Sequence, residues 1–390
     1  MFGKRITLFK LLGFSVRIDM SWLIILAIVV WSLAGSVFPE EYEGLHWSLY
    51  VAMGLGGAIG LFLSIVLHEL SHSLVARRYG LPMKGITLFL FGGVAEMTDE
   101  PPSPKAEFFM AIAGPAFSFV FAAVCIGISV LGRAQGWPVV VTGIFQWLGL
   151  INAILAVFNL VPGFPLDGGR VLRSILWRVK KDFRAASRIA AQSGRIVGMI
   201  LIGLGFLSLL FGNAFGGLWW ILIGLFLRWA AQQSYQQVLV REALRGEPVR
   251  RFMSKEPVTA PASVSIQELV EDYIYEYHHK MFPVVEDGRL LGCITTRHVK
   301  NVPRDMWAQR QVGEVVSPCS DENTIAPNED AMKVLSRMHE TRSGRLMVVE
   351  DDKLVGILAL KDLLKFLALK LELESGEAGS VRLPHVSPRQ

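Results

Sequence analysis

Apolar residues fill the first 230 positions in long blocks, and polar residues mark the gaps between them. The blocks near 19–38, 48–76, 107–132, 138–161, 193–211 and 215–232 each approach or exceed the ~20 residues that carry a helix across a bilayer. They predict six transmembrane helices. The last two are Gly-rich and joined by a few residues around Gly212-Asn213, which predicts a tight helical hairpin. Between the second and third blocks, ITLFLFGGVAEM (86–97) alternates and pivots on Gly92-Gly93, as a β-hairpin would. A loop lying on the membrane surface is the other reading of that stretch.

Beyond residue 241 the pattern is that of an ordinary soluble chain. Residues 236–250 read as a polar connector. TAPASVSIQELV…FPVVEDGRLLGCITTRHV then aligns with IAPNEDAMKVLS…LMVVEDDKLVGILALKDL, a repeat with a period of about 65 residues. Each copy carries a helix, a Val-rich strand, an acidic turn, a second strand through Gly292 or Gly356, and a closing helix. Short strands alternating with helices predict two small α/β units packed as a pair. Residues 371–390 have the composition of a disordered tail.

Composition agrees with a membrane part followed by a soluble part. Of 390 residues, 52% are hydrophobic and only 19% charged, and few of the charges fall within 18–76. Lys and Arg mark the cytoplasmic side of membrane helices. They cluster before the first block (Lys4, Arg5, Lys10, Arg17), between the second and third (Arg77, Arg78, Lys84, Lys105), and from Arg170 to Arg195. The alternate connections hold an acidic loop and only Arg133. This predicts an N-terminus inside, six crossings and a cytoplasmic C-terminal region. No small-residue cleavage site closes a short apolar core, so the first block reads as a retained anchor. Three cysteines (Cys125, Cys293, Cys319) without C-x-x-C spacing exclude a disulfide framework and a thiolate metal site. No nucleic-acid partner is expected.

The second block contains IVLHELSHSLV (65–75). An unpaired ionisable group near the bilayer centre costs on the order of 3 kcal/mol, so His68, Glu69 and His72 together require compensation. His68 and His72 are four apart and share a helix face. Two imidazoles so placed suit one Zn2+, and Glu69, turned about 100° from His68, suits a general base. A helix–helix hydrogen-bond cluster is the bland alternative. The pair leaves the ion one protein ligand short. FNLVPGFPLDGGR (158–170) is the best source of a third: Pro162 and Pro165 break the helix, and Asp167 follows. From spacing alone, Asp167 is equally a ligand or a cap opening a helix over 170–179. The site is expected toward the cytoplasmic side, because His68 is nine residues from Arg77.

HELSH together with N-x-x-P-x-x-P-x-D-G-G-R resembles the site-2 protease family of intramembrane zinc metalloproteases. The resemblance covers most of residues 1–235. It implies that His68, His72 and Asp167 bind one zinc ion, that Glu69 is the catalytic base or acid, and that Asn159 touches substrate. AGPAFS (113–118) resembles the family's Gly-Pro turn in the third span; small-residue helix packing is the other reading. The resemblance also implies that the hairpin through Gly92 and Gly93 holds an unwound substrate segment in the membrane beside the zinc. The implied activity is regulated intramembrane proteolysis of a single-pass or hairpin membrane protein, in the lipid bilayer of the cell membrane. No PDZ-sized insertion separates the spans.

The C-terminal repeats resemble a tandem pair of CBS domains, which implies ATP or AMP binding between the copies. The family pattern G-h-x-[ST]-x-x-D, where h is apolar, is incomplete in both. The first copy has Thr295 but His298 in place of Asp; the second has Asp362 but Ala359 in place of Ser/Thr. A docking module, or a homodimer through the repeats, remains the alternative. The expected organisation is thus a multi-pass α-helical membrane domain with a membrane-associated β-hairpin (1–235), a linker (236–249), CBS repeats at 250–304 and 312–370, and a tail (371–390). Two rival functions remain: a membrane H-E-x-x-H peptidase of another type, and a non-proteolytic transporter or sensor governed by a CBS pair. The six other histidines lack ligand spacing, and His278 and His279 read as surface residues.

Overall fold

The computed structural model describes residues 5–81, 83–89, 92–97, 100–341 and 343–375. The chain divides into two units, Met1–Gln236 and Gln237–Gln390.

The first unit opens with two strands that the hydrophobic blocks did not predict. β1 (Arg5–Leu11) and β2 (Phe14–Asp19) pair antiparallel around Leu12 and Gly13, which have φ of 49° and 90°. Positive φ at both turn positions matches the twist of the strands. The first span runs as α1 (Ser21–Ser32), a π-helical turn and α2 (Phe38–Glu41). α3 (Trp47–Arg78) contains the HELSH stretch. β3 (Met83–Phe89) and β4 (Gly92–Met97) form the expected hairpin, but its turn is not at the glycines. Gly92 and Gly93 lie within β4, paired with Phe89 and Leu88. The connection between the strands falls outside the described residues.

β3 pairs in parallel with β2, giving one four-stranded sheet in the order β1-β2-β3-β4. Phe14, Val16, Ile18, Ile86 and Leu88 from this sheet bury themselves against Val66 and Leu70 of α3. Arg77, in the last turn of α3, donates to the Leu12 carbonyl at 2.9 Å and lies 4.9 Å from the Phe14 ring centroid. The sheet is thereby fastened to the helix that bears the two histidines.

α4 (Pro104–Ala134), α5 (Val139–Asn159), α6 (Asp167–Lys180), α7 (Phe183–Leu210) and α8 (Ala214–Leu244) complete the unit. Among the described residues, six helical spans are long and apolar enough to cross a membrane. The last two exceed the predicted 193–211 and 215–232 because polar, amphipathic turns extend them: α7 begins ten residues earlier, with Asp182 as its N-cap, and α8 continues to Leu244. Gly198 of α7 packs against Gly224 of α8 in the expected hairpin. The Gly-Pro pair in AGPAFS makes no turn, since α4 is continuous through Pro115.

In the second unit, the stretch expected as a polar connector is helical to Leu244 and buries Val238, Leu239, Ala243 and Leu244. The first repeat forms the sheet β5-β6-β7-β8 from β5 (Ala260–Pro261), β6 (Met281–Glu286), β7 (Arg289–Thr295) and β8 (Ser317–Pro318). Its helices are α9 (Ile266–Glu268), which runs through a π-helical stretch into α10 (Tyr275–Tyr277), and α11 (Thr296–Lys300). α12 (Val312–Val315) follows. The second repeat forms the sheet β11-β10-β9 from β9 (Thr324–Ile325), β10 (Arg345–Glu350) and β11 (Lys353–Ala359), with α13 (Ala331–Thr341) and α14 (Leu360–Ser375). Residues 371–375, expected in the tail, complete α14; the remainder of the tail lies outside the described residues.

The two repeats exchange their leading segments. Val249 and Phe252, where the first repeat begins, are buried in the core of the second with Ile325, Val334 and Leu358. Val312, where the second begins, is buried in the core of the first with Ile266, Phe282 and Ile294. Met281, Leu290 and Cys293 pack on Met347 between the copies. Neither repeat buries its apolar face alone, so the pair is the folding unit.

Candidate metal centre

His68 and His72 project from one face of α3, as their spacing requires, and both are buried. Asp167 reaches them from a different element. After α5 ends at Asn159, the chain turns through Pro162 and Pro165, and α6 begins at Asp167 itself. The loop is tied down locally: the Phe164 N–H donates to the Ala190 carbonyl of α7 at 3.1 Å, and the Ser193 hydroxyl donates to the Pro162 carbonyl. Gly168 permits the fold-back, because a Cβ there would lie 2.2 Å from the Leu160 carbonyl oxygen. Asp167 therefore stands in the first turn of α6 without capping it; Leu166 is the N-cap and supplies no side-chain bond.

The three donor atoms form a nearly equilateral triangle. His68 Nε2 and His72 Nε2 are 3.1 Å apart, and each is 3.2 Å from Asp167 Oδ2. Among the described residues, these three form the group with metal-binding geometry. The far side of each ring explains why. His72 Nδ1 lies 2.6 Å from the Met110 carbonyl of α4, which only accepts, so Nδ1 carries the proton. His68 Nδ1 lies 2.8 Å from Ser118 Oγ, also on α4. When Ser118 accepts from His68 Nδ1 in the same way, the two Nε2 lone pairs and a carboxylate oxygen converge, and a cation among them relieves their repulsion. Tetrahedral zinc with bonds of about 2.0–2.1 Å spaces its ligands about 3.3 Å apart, so the observed edges fit it. Outer hydrogen bonds that fix the tautomer and aim of ligand histidines are the usual support of such sites.

Gly114 of α4 completes the wall. A Cβ at this position would stand 2.1 Å from His72 Nε2 and 2.6 Å from His68 Nε2. The small residue of AGPAFS thus leaves open the space in front of the triangle. Glu69 follows His68 on α3 and is half-buried. Asn159, also half-buried, is the last residue of α5 before the double-proline loop.

Spacing pointed to His68, His72 and Glu69. Ser118 lies in AGPAFS, whose sequence signal is a Gly-Pro turn or small-residue packing, and the Met110 contribution is a backbone carbonyl, for which a sequence carries no signal.

In the second unit the two predicted nucleotide residues sit at the starts of helices. Thr295 caps α11: its Oγ1 accepts from the His298 N–H at 3.4 Å, and His298 Nδ1 accepts from the Thr295 N–H at 3.3 Å. The His that replaces the pattern's Asp thus closes a capping box. Burial, and then neighbouring Arg297, lower the His298 pKa below its ordinary value. Asp362 lies in the first turn of α14, half-buried. His279, read from the sequence as surface, is half-buried against Phe282 at a ring separation of 5.8 Å.

Comparison with known proteins places both units. The family model for peptidase family M50 matches residues 56–137 and 128–202, and the CBS domain model matches 249–305 and 312–369. A relative in Mycobacterium tuberculosis, provisionally named zinc metalloprotease Rip3, is 34% identical over 364 residues, covering 93% of this chain and 92% of its own. Zinc metalloprotease MJ0392 of Methanocaldococcus jannaschii is 31% identical over 371 residues, covering 95% and 97%. A solved site-2 protease from M. jannaschii aligns at 31% identity with a TM-score of 0.42, over 60% of this chain and 95% of that one.

Proposed function

Since the chain belongs to peptidase family M50 and is a membrane zinc metalloprotease with a tandem CBS pair, we propose that His68, His72 and Asp167 hold its zinc and that Glu69 is its general base. The observation that carries this reading is the donor triangle, built from α3 and α6 with edges of 3.1–3.2 Å. Zinc in such a site lowers the pKa of water toward neutrality and polarises a carbonyl. Glu69, one helical step from His68, takes a proton from the attacking water and passes it to the departing amine. Gly114 keeps the approach open. Asn159, at the mouth of the double-proline loop, orients the substrate backbone near the bond to be cut.

The substrate is a transmembrane segment of another protein. A helix hides its own peptide groups, so it must unwind before it can be cleaved. Among the described residues β4 is an edge strand of the four-stranded sheet, and its outer side offers backbone hydrogen bonds to an unwound segment. Gly92 and Gly93 lie on that strand. The N-terminus and the CBS pair face the cytoplasm across the cell membrane, following the distribution of Lys and Arg. Adenine nucleotides bind the CBS pair and govern cleavage; titrating ATP and AMP against the purified full chain tests this, and the absence of any heat or fluorescence change counts against it.

Replacing Glu69 with Gln tests the catalytic assignment. Membrane proteins from cells producing the unaltered chain and the Glu69→Gln chain are compared. The variant keeps its zinc, and the substrate accumulates as an uncut precursor. Continued cleavage by the variant removes Glu69 from the mechanism.

A further inference from the structure

The metal triangle depends on two elements that touch it from opposite sides. α4 supplies the Met110 carbonyl, Ser118 and the gap at Gly114, while α6 supplies Asp167. One buried ion pair joins those two helices. Arg173, on α6 six residues beyond Asp167, donates from Nε to Glu107 Oε1 at 2.6 Å, and its Nη2 bonds the same oxygen. Glu107 lies on α4 three residues before Met110 and is fully buried. Its second oxygen has no hydrogen-bond partner among the described residues, so Arg173 is the principal compensation for that carboxylate.

Arg173 reaches further. Its guanidinium lies 5.0 Å from the ring centroid of Phe164, in the loop that delivers Asp167, and 4.6 Å from that of Phe183, which begins α7. Nη2 is also 3.4 Å from Glu100 Oε2, in the chain that leads from the hairpin into α4. A planar guanidinium can bond a carboxylate along its edge and pack aromatic rings on its faces at once; an ammonium cannot. Burying charge in this way costs desolvation, and a well-packed apolar pair often stabilises as well. Stability alone is therefore a weak reason for this pair.

We infer that Arg173 and Glu107 are positioning residues for the metal centre, fixing Asp167 of α6 against the histidine-orienting face of α4. The inference rests on the assignment of His68, His72 and Asp167 as zinc ligands. Neither residue reaches the ion; they act through Asp167 and Met110.

The test uses the purified full chain, a competing chelator to measure zinc affinity, and thermal unfolding to measure the fold. Arg173→Lys keeps the charge but loses the planar fork. It is expected to bind zinc about tenfold or more weakly, the range seen when outer supports of metal ligands are removed, with cleavage recovering as zinc is added. The double variant Glu107→Leu/Arg173→Leu replaces the pair with apolar bulk. It is expected to melt near the unaltered chain yet bind zinc as weakly as Arg173→Lys. Zinc affinity equal to that of the unaltered chain in Arg173→Lys, or in a folded double variant, overturns the inference and leaves the ligand assignment standing. An unaltered chain that takes up no zinc overturns the ligand assignment itself, and the inference with it. Arg173→Lys decides the matter alone if the double variant does not fold.

Discussion

Gly114 and His72 approach so closely that a β-carbon on the first would stand 2.1 Å from Nε2 of the second. Gly114 sits in the middle of a continuous helix, where glycine costs roughly 0.5–1 kcal/mol relative to alanine. The helix accepts that cost at the position that fronts the donor triangle. Gly114→Ala is expected to keep its helical content and lose zinc and activity together. Far-UV circular dichroism and metal analysis of the same preparation check this; full zinc content in the alanine variant would mean that α4 does not wall the site.

Ser118 holds His68 from behind, 2.8 Å from Nδ1. Ser118→Ala leaves His68, His72 and Asp167 in place but frees the ring. Zinc affinity is expected to fall about 10-fold, at the mild end of the 10–100-fold range for outer supports, with a smaller loss in saturated activity. Competition against a chelator measures it.

Gly168→Ala should act through the backbone. Its Cβ would meet the Leu160 carbonyl oxygen at 2.2 Å, and neither main chain has a flexible end to move aside. The double-proline loop must shift, carrying Asp167 with it. Overpacking of this kind costs about 1–3 kcal/mol, so a lower unfolding temperature and weaker zinc binding are expected to appear together.

His298 is expected to give the CBS pair a pH dependence. Its Nδ1 accepts from the Thr295 N–H only when unprotonated, and its pKa is lowered in the fold by burial and then by Arg297. Below the ordinary histidine pKa of about 6.5 the unfolded chain binds the proton more readily than the folded one, so stability falls as pH drops through the lowered value. Above 6.5 the contribution is fully present. His298→Asn is expected to flatten that acid-side loss in thermal melts between pH 5 and 7. His279, also lowered by burial and by Arg345, leaves a residual slope in both proteins.

The parts of the structure legible in the sequence are those set by local period. His68 and His72 share a face because four residues make about one helical turn, and the six spans follow from apolar length. What stayed hidden depends on long-range contact or weak local pattern. Asp167 lies 95 residues from His72, and spacing alone left it either a ligand or a helix cap; the resemblance to known proteases pointed to the first. RITLFKLLGFSVRID carries a strand alternation broken by Leu12-Gly13, but its basic residues equally fit the flank of a membrane span, so β1 and β2 have only a weak local signal. Gly92 and Gly93 suggested a turn, whereas they lie within β4. The exchange of leading segments between the CBS repeats, with Val249 in one core and Val312 in the other, leaves no mark in either repeat's own pattern.

Metal analysis of the purified chain beside its Asp167→Ala variant asks whether side chains from α3 and α6 share one ion. One zinc per unaltered chain is expected, and its loss from a variant that still melts cooperatively. Zinc retained in full without Asp167, or no stoichiometric metal in the unaltered chain, would contradict a shared ion.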